Sequence, residues 1–326
     1  MRYIIYGAGG IGGGIGGRLF QHGHEVILIA RGEHLARILS NGLTVRTPDD
    51  TFTVPVPAVG HPSEIEWRED DVVLLTMKAQ DTEAALNDLR TAAGTDVAVI
   101  SAQNGVDGER MATRRFRNVY GMLVMMPTTF LDPGEVVLHS APLNGWLDAG
   151  RYPEGLDPLI EQVCADISAS KMTASPDPHV MRIKYSKLRN NLNNALDALV
   201  GGESRGGTVH QRLNAEADAC FAAAKIKVAP NEILAAGRRD AFKDGDIPGY
   251  PRRGTSFWQS LARGRSIEVD YLNGEIVLLG KLHAVPTPYN RAIQQLAHEA
   301  ARTSATPASY TEADIEALAD QISASD

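Results

Sequence analysis

Apolar positions in the first half of the chain come in short β-branched runs separated by stretches of four-residue spacing. Tyr3-Ile4-Ile5-Tyr6 stops at Gly7 and reads as a buried strand. The period then changes: Ile11, Ile15 and Leu19 recur every fourth residue, which predicts a helix closing near Gly23. Residues 26–29, 72–77, 97–101 and 119–124 are further short apolar runs, with helical stretches such as 82–89 between some of them. Strands alternating with helices predict a parallel, doubly wound α/β sheet. After Pro133-Gly134, residues 135–139 and 144–147 are expected to finish that sheet antiparallel.

Beyond this point the strand pattern ends. Ser175-Pro176-Asp177-Pro178 resists both helix and sheet pairing and is the best linker candidate. The predicted division is therefore an α/β domain over residues 1–176 and an all-α domain over residues 177–326. In the second part, residues 180–199, 211–225, 231–242, 256–281 and 289–302 have helical composition and period, and residues 311–322 open on a capping-box-like Thr311-Glu312-Ala313-Asp314.

Composition narrows the function classes. The chain has 326 residues, 43% hydrophobic and 22% charged, which sets aside disordered and fibrous readings. A net charge of −8 opposes attraction to nucleic acid or anionic lipid, so neither is an expected partner. Cys164 and Cys220 are too few for a disulfide framework, and the N-terminus lacks a secretory pattern, so a soluble cytoplasmic protein is expected. The apolar runs are far shorter than the ~20 residues that span a bilayer.

Gly7-Ala8-Gly9-Gly10-Ile11-Gly12 fits G-x-G-x-x-G between a strand and a helix, the setting a dinucleotide loop of the Rossmann type requires. Its glycines give a tight turn, a close approach to pyrophosphate and close helix packing, and they leave N–H groups aimed at phosphates. Gly13, Gly14, Gly16 and Gly17 add helix-destabilising glycines that the motif does not explain. The second strand ends at Arg31 instead of the acid that binds a ribose 2′-hydroxyl, and Lys78 follows the strand over 72–77. Both cations favour a 2′-phosphate, so NADP(H) is the expected cofactor. The plainer alternative is that Arg31 caps a solvated loop, offset by Glu33.

Lys187-Leu188-Arg189-Asn190-Asn191-Leu192-Asn193-Asn194 is the most unusual stretch. With Lys187 at zero on a helical wheel, Asn191, Asn194 and Asn190 fall near about +40°, −20° and −60°, opposite an arc of leucines. Asparagine is a poor interior helix former, so this amide and ammonium face suggests hydrogen bonding to a ligand, and a lysine there can protonate a carbonyl. Asn104-Gly105 sits at the carboxyl end of a strand, beside the expected nicotinamide position. Ser256 and Glu268 are further candidates in the later helical segment. The nine histidines form no metal-ligand spacing, so no metal is expected, and no Ser-His-Asp or G-x-S-x-G pattern supports hydrolysis.

These blocks together resemble the ketopantoate reductase family: Gly7 to Gly12, Gly23-His24-Glu25-Val26, Arg31, Lys78-Ala79, Gln103-Asn104-Gly105, Lys187-Leu188 with Asn191, and Glu268-Val269-Asp270-Tyr271-Leu272-Asn273-Gly274. The resemblance implies a Rossmann domain followed by a helical domain, and NADPH-dependent reduction of a 2-oxo acid, with ketopantoate the leading substrate and pantoate the product. It further implies that Lys187 is the general acid and that Asn104, Asn191 and Ser256 hold substrate. Glu268 would contact substrate or cofactor, with Asn104 also beside the cofactor. Two positions depart from the family pattern. Ala195 replaces a second asparagine, for which Asn194 is the candidate substitute, and Asp81 stands where glutamine is common. Residues 245–253 form an unusual loop before Ser256. The alternatives are a family member acting on a different 2-oxo acid and a catalytically silent dinucleotide sensor; a homodimer is left open.

Overall fold

The computed structural model describes all residues except Leu131, Glu203, Arg205, Arg252, Arg253, Arg265 and Asp326, and the side chain of Ser256. The chain begins with β1 (Arg2–Tyr6), α1 (Gly10–Gln21), β2 (Glu25–Ile29), α2 (Gly32–Asn41), β3 (Leu43–Arg46), β4 (Thr51–Val54) and β5 (Ala58–Val59). It continues through β6 (Asp71–Leu75), α3 (Thr82–Ala93), β7 (Ala98–Ser101), α4 (Asp107–Thr113) and β8 (Val119–Met122). Then come β9 (Thr128–Thr129), β10 (Glu135–Leu138), β11 (Ser140–Ala141), β12 (Ala149–Arg151) and α5 (Pro158–Ser168).

Seven strands form the main sheet in the order β12-β8-β7-β6-β1-β2-β5. All neighbours are parallel except β12 on β8. Covered on both faces, β1 is apolar throughout its middle, and Tyr3, Ile4 and Ile5 are fully buried. At its start Arg2 faces its register partner Asp71 and donates to both carboxylate oxygens at 2.7 and 2.8 Å, which pins the amino ends of β1 and β6. The chain leaves β1 toward β2 on one side and reaches β6 on the other, so the carboxyl end of β1 is the switch point where doubly wound sheets open a ligand crevice.

The expected antiparallel finish by residues 135–139 and 144–147 is corrected by the structure. β10 joins a separate sheet of order β4-β3-β10-β9, parallel to β3 and antiparallel to β9. Residues 144–147 supply only isolated bridges, Trp146 pairing with Met125 and Thr173. The antiparallel edge of the main sheet is β12.

The physical reason for the second sheet lies in α1. A Cβ at Gly16 would fall 2.7 Å from Leu28 of the main sheet, whereas one at Gly13 or Gly17 would fall 2.8 or 2.7 Å from Val136 or Val45 of the small sheet. The surplus glycines thus make a thin helix that packs between two sheets, at about 1 kcal/mol of helix propensity each. Buried Val136, Leu138, Leu43 and Val45 cover its far side.

The chain divides into two compact units, Met1–Lys184 with Asn231–Arg252, and Tyr185–Pro230 with Arg253–Asp326. Where a single crossing at 176/177 was expected, this division has the chain return to the first unit once. α6 (Val180–Asn191) starts in the first unit, whereas α7 (Asn193–Val200) and α8 (Thr208–Ala223) belong to the second. α9 (Asn231–Ala241) and β13 (Lys243–Asp244) return to the first, where β13 pairs with β11 and Gly237 lies flat against the Trp146 ring. The 245–253 loop follows; Gly245 N–H donates to His139 O at 2.9 Å and Arg46 stacks on Tyr250, while Arg252 and Arg253 lie outside the described residues.

The second unit is completed by α10 (Ser256–Leu261), α11 (Asn273–His283), α12 (Pro288–Thr303) and α13 (Glu312–Ser325). Two predicted long helices are interrupted. Residues 180–199 break at Leu192, although its N–H still donates to Leu188 O at 3.2 Å. Residues 256–281 break after α10, where Gly264 takes φ +58°, and resume as α11. Among the described residues no helix is long and apolar enough to cross a membrane.

Candidate functional site

The glycine loop occupies the carboxyl end of β1. Gly7 has φ +105°, and a Cβ there would fall 2.7 Å from Met77 N, so neither the backbone conformation nor the space admits a side chain. Gly7 and Ala8 N–H donate to Ile29 O at 3.1 and 3.3 Å. Thr76 Oγ1 donates to Gly7 O at 2.8 Å, and Gly12 packs directly on Gly7 O and Thr76. Gly10 abuts Thr128, Ala8 is buried, and half-buried Ile11 packs on the core. Gly9 differs: no atom lies within 4 Å of a Cβ built on it. It caps the twelve-residue α1, whose first N–H groups and dipole favour an anion. Packed on three sides and open at Gly9, this cradle fits a dinucleotide pyrophosphate.

His34, absent from the sequence candidates, buttresses the same turn. Its Nδ1 accepts from Gly134 N–H at 2.8 Å, so the proton sits on Nε2, which donates to Ala8 O at 2.6 Å. Phe130 meets the ring edge-on at 4.6 Å, and burial lowers the imidazole pKa below its ordinary value. Its signal in the sequence is faint, a histidine three residues beyond Arg31.

Arg31 caps α2 with its side chain 78% exposed and its guanidinium 3.7 Å from Asp81. Glu33 pairs instead with Arg37, at 3.8 Å, so the carboxylate offsetting Arg31 is Asp81. Lys78 lies beyond the end of β6, half-buried, at the start of a 3-10 turn over Ala79–Asp81. Half-buried Asn104 lies beyond the end of β7 and precedes Gly105 at φ +79°. All of these residues belong to the first unit.

The second unit carries the other candidates. Lys187, Asn191 and Asn194 are each half-buried, whereas Asn190 is exposed and Asn193 turns inward to donate to Asp197 at 3.0 Å. The amide cluster thus sorts into solvated, structural and half-buried members. Thr255 Oγ1 donates to Asn194 O at 3.2 Å and accepts from Trp258 N–H, so it draws the start of α10, where Ser256 stands, to Asn194. Glu268 is half-buried at the cap of a 3-10 turn over Val269–Tyr271. Asn273, fully buried, donates to Leu192 O at 3.3 Å and to Asn290 Oδ1 at 3.1 Å. It ties the Glu268 segment to the interruption beside Asn191. Nothing in a single asparagine before Gly274 signals that role.

Among the described residues no group of histidine, cysteine, aspartate and glutamate could hold a metal ion. Both cysteines are buried, and desolvation pushes Cys164 up to about 12 and Cys220 up to about 11, so neither offers a thiolate at neutral pH.

A glycine-loop Rossmann sheet joined to a helical unit defines a dinucleotide-dependent class of enzyme. A family model described as Ketopantoate reductase PanE/ApbA matches residues 3–154, and its C-terminal counterpart matches residues 180–301. The chain belongs to the ketopantoate reductase family and is an oxidoreductase. It is 24% identical over 302 residues to a 2-dehydropantoate 2-reductase of Pyrococcus horikoshii, covering 89% of this chain and 94% of that protein. The corresponding protein of Halobacterium salinarum is 27% identical over 318 residues, with 93% and 99% covered. A PanE/ApbA family ketopantoate reductase from Ralstonia eutropha JMP134 superposes with a TM-score of 0.78 at 30% identity, covering 93% of this chain and 99% of that one. D-mandelate dehydrogenase, solved with NADH and anilino(oxo)acetate, gives a TM-score of 0.79 at 25% identity with the same coverage. Family membership implies a nicotinamide dinucleotide cofactor.

Two expectations follow from this geometry. Gly9→Val meets open space and should leave the urea midpoint near wild type, yet raise the Kd for NADPH or NADH by roughly tenfold or more, because the branched side chain fills the pyrophosphate approach. Fluorescence titration checks it, and wild-type affinity would place the cofactor elsewhere.

The second concerns pH. His34 has a folded pKa below the ordinary 6.5, so as pH falls the unfolded chain takes the proton first. Its contribution to stability is complete above 6.5 and is lost as pH falls through the lower folded value. Urea midpoints measured across that range should decline in wild type, and the decline should shrink in His34→Phe. An identical slope in both would show that His34 is not its source.

Proposed function

We propose that this enzyme reduces a small 2-oxo acid with NADPH, and that ketopantoate is the substrate and pantoate the product. The observation that carries the reading is Lys187, half-buried on α6 with Asn191 one turn on, inside the residues that match the family's C-terminal model. When bound, the dinucleotide supplies a hydride to the carbonyl carbon. The chain's residues do the rest. The loop from Gly7 to Gly12 orients the pyrophosphate, Arg31 and Lys78 receive the 2′-phosphate, and Asn104 stands beside the nicotinamide. Lys187 holds its ammonium proton toward the carbonyl oxygen and delivers it as the alkoxide forms, so that ketone, hydride and proton give the alcohol and a neutral amine that solvent reprotonates. Asn191, Asn194 and Ser256 bind the carboxylate and hydroxyl, and Glu268 contacts substrate or cofactor.

A second reading keeps the chemistry and changes the substrate. Ala195 removes an amide common in the family, and D-mandelate dehydrogenase is among the most similar solved folds. An NADPH- and NADH-oxidation screen that includes ketopantoate and aromatic 2-oxo acids separates the two. Turnover of ketopantoate supports the first, turnover of aromatic 2-oxo acids alone supports the second, and no turnover of any 2-oxo acid refutes both.

Lys187→Ala should lower kcat by about 100- to 10,000-fold, the range for a lost general acid, with little change in NADPH affinity. Near-normal turnover would remove Lys187 from the proton step.

Arg31→Asp should shift kcat/KM from NADPH toward NADH by about tenfold or more, since a charged hydrogen bond to the 2′-phosphate is replaced by repulsion. The double variant with Lys78→Ala allows for masking by the second cation. A fixed cofactor ratio in both variants would refute the 2′-phosphate assignment.

A further inference from the structure

Three residues before Lys187 on α6 lies a lysine of a different kind. Lys184 is 3% exposed, and its ammonium lies 2.6 Å from Oε1 of Glu109, which is 0% exposed. The same ammonium donates to Gln103 O and Met122 O, each at 3.0 Å, and to Ser101 O at 3.3 Å. Removing both charges from water is costly, and a pair of well-packed apolar residues often stabilises a fold as well or better. What the ion pair adds is fixed geometry, at the carboxyl ends of β7 and β8 where a parallel sheet binds its ligands.

Gln103 extends that geometry sideways. Its amide Nε2 donates to Met77 O and Thr82 Oγ1, each at 2.8 Å, and Ser101 Oγ donates to its Oε1 at 3.3 Å. A Cβ on Gly108 would come within 2.5 Å of both Gln103 Oε1 and Ser101 Oγ, so the cluster has no slack. The peptide groups thereby pinned are those that lead into Lys78 and into Asn104.

We propose that Lys184 and Glu109, acting through Gln103, are positioning residues that set where Lys78 and Asn104 stand toward the bound dinucleotide. In its kinetic arm this rests on the proposed 2-oxo acid reduction; in its binding arm it rests only on a nicotinamide cofactor. Neither residue touches the reacting atoms.

The test compares the full-length wild type with Lys184→Met/Glu109→Met, which removes both charges together, and with Gln103→Leu, which buries no charge. In the double variant the thermal midpoint should fall, because the Ser101, Gln103 and Met122 carbonyls lose their buried donor. The Kd for NADPH should rise by about tenfold, and kcat should fall by about a hundredfold, more than KM changes, as expected for reacting groups misplaced by an ångström. Gln103→Leu should shift Kd and kcat in the same directions, and it decides the matter should the double variant not fold. Wild-type Kd and kcat in folded variants, whatever their thermal midpoint, overturn the proposal, because a purely structural cluster would move stability alone. The Kd requires no substrate. A wild type inert toward every 2-oxo acid therefore refutes the proposed reaction and leaves the Kd to decide the network.

Discussion

Helix α1 must lie against two sheets at once while its first turn meets the end of β1, and most of the first unit's architecture answers that demand. A helix with ordinary side chains on those faces would stand several ångströms further from Leu28 and Val45, and its N-terminus would leave the strand end. Glycine on both faces sacrifices helix propensity for proximity. The small sheet then becomes necessary, because without Val136, Leu138 and Val45 the Gly13, Gly14 and Gly17 face of the helix would leave its backbone bare. The loop, its open place at Gly9 and the α1 N-terminus follow from the same close packing.

Parallel strands end in carbonyl groups that a ligand crevice cannot leave bare, and here the protein supplies the donors. Tyr6 O accepts from Thr76 N–H and Thr76 Oγ1, each at 3.0 Å. Ile29 O takes the N–H groups of Gly7 and Ala8, Met77 O takes Gln103, and the carbonyls around β7 and β8 take Lys184. With the acceptors occupied from within, the character of this rim is set by donors and cations, which suits a ligand rich in phosphate and carboxylate. Lys184 is the strongest of these internal donors because it is charged and fully buried.

Features legible in the sequence were those whose cause is local. A strand stopping at Gly7, a G-x-G-x-x-G turn and a four-residue apolar period each follow from neighbouring residues, and the Rossmann sheet with its glycine loop is present as read. What escaped depends on partners distant in the chain. Residues 135–138 have the same apolar signature whichever sheet they join, and α1 decides between them. At the interruption beside Leu192, the carbonyl accepts from Asn273, eighty-one residues away, a partner that no local pattern reveals. Likewise Lys184 is indistinguishable from a surface lysine until Glu109 and the strand ends surround it, and His34 from an ordinary helix residue until Gly134 fixes its tautomer. Asn193, in the same asparagine-rich stretch but off the polar face formed by Asn190, Asn191 and Asn194, is structural because Asp197 lies one turn on.

The neighbourhood of Arg31 shows how a departure from the family pattern acts through charge. At 3.7 Å and largely exposed, the Arg31–Asp81 pair contributes about 0–1 kcal/mol, less than a charged hydrogen bond from guanidinium to phosphate. Under the proposed NADPH use, the phosphate displaces Asp81 at little cost. The displaced carboxylate nevertheless stays on the adjoining turn, where it repels a dianion and leaves the neutral ribose of NADH unaffected. Glutamine, common at this position in the family, would hydrogen-bond the phosphate without repelling it. On that proposal, Asp81 narrows the margin that Arg31 and Lys78 would create between the two cofactors. Cofactor preference under the proposed NADPH use is then a difference between opposing charges on neighbouring turns, and the identity of Arg31 alone would not fix it.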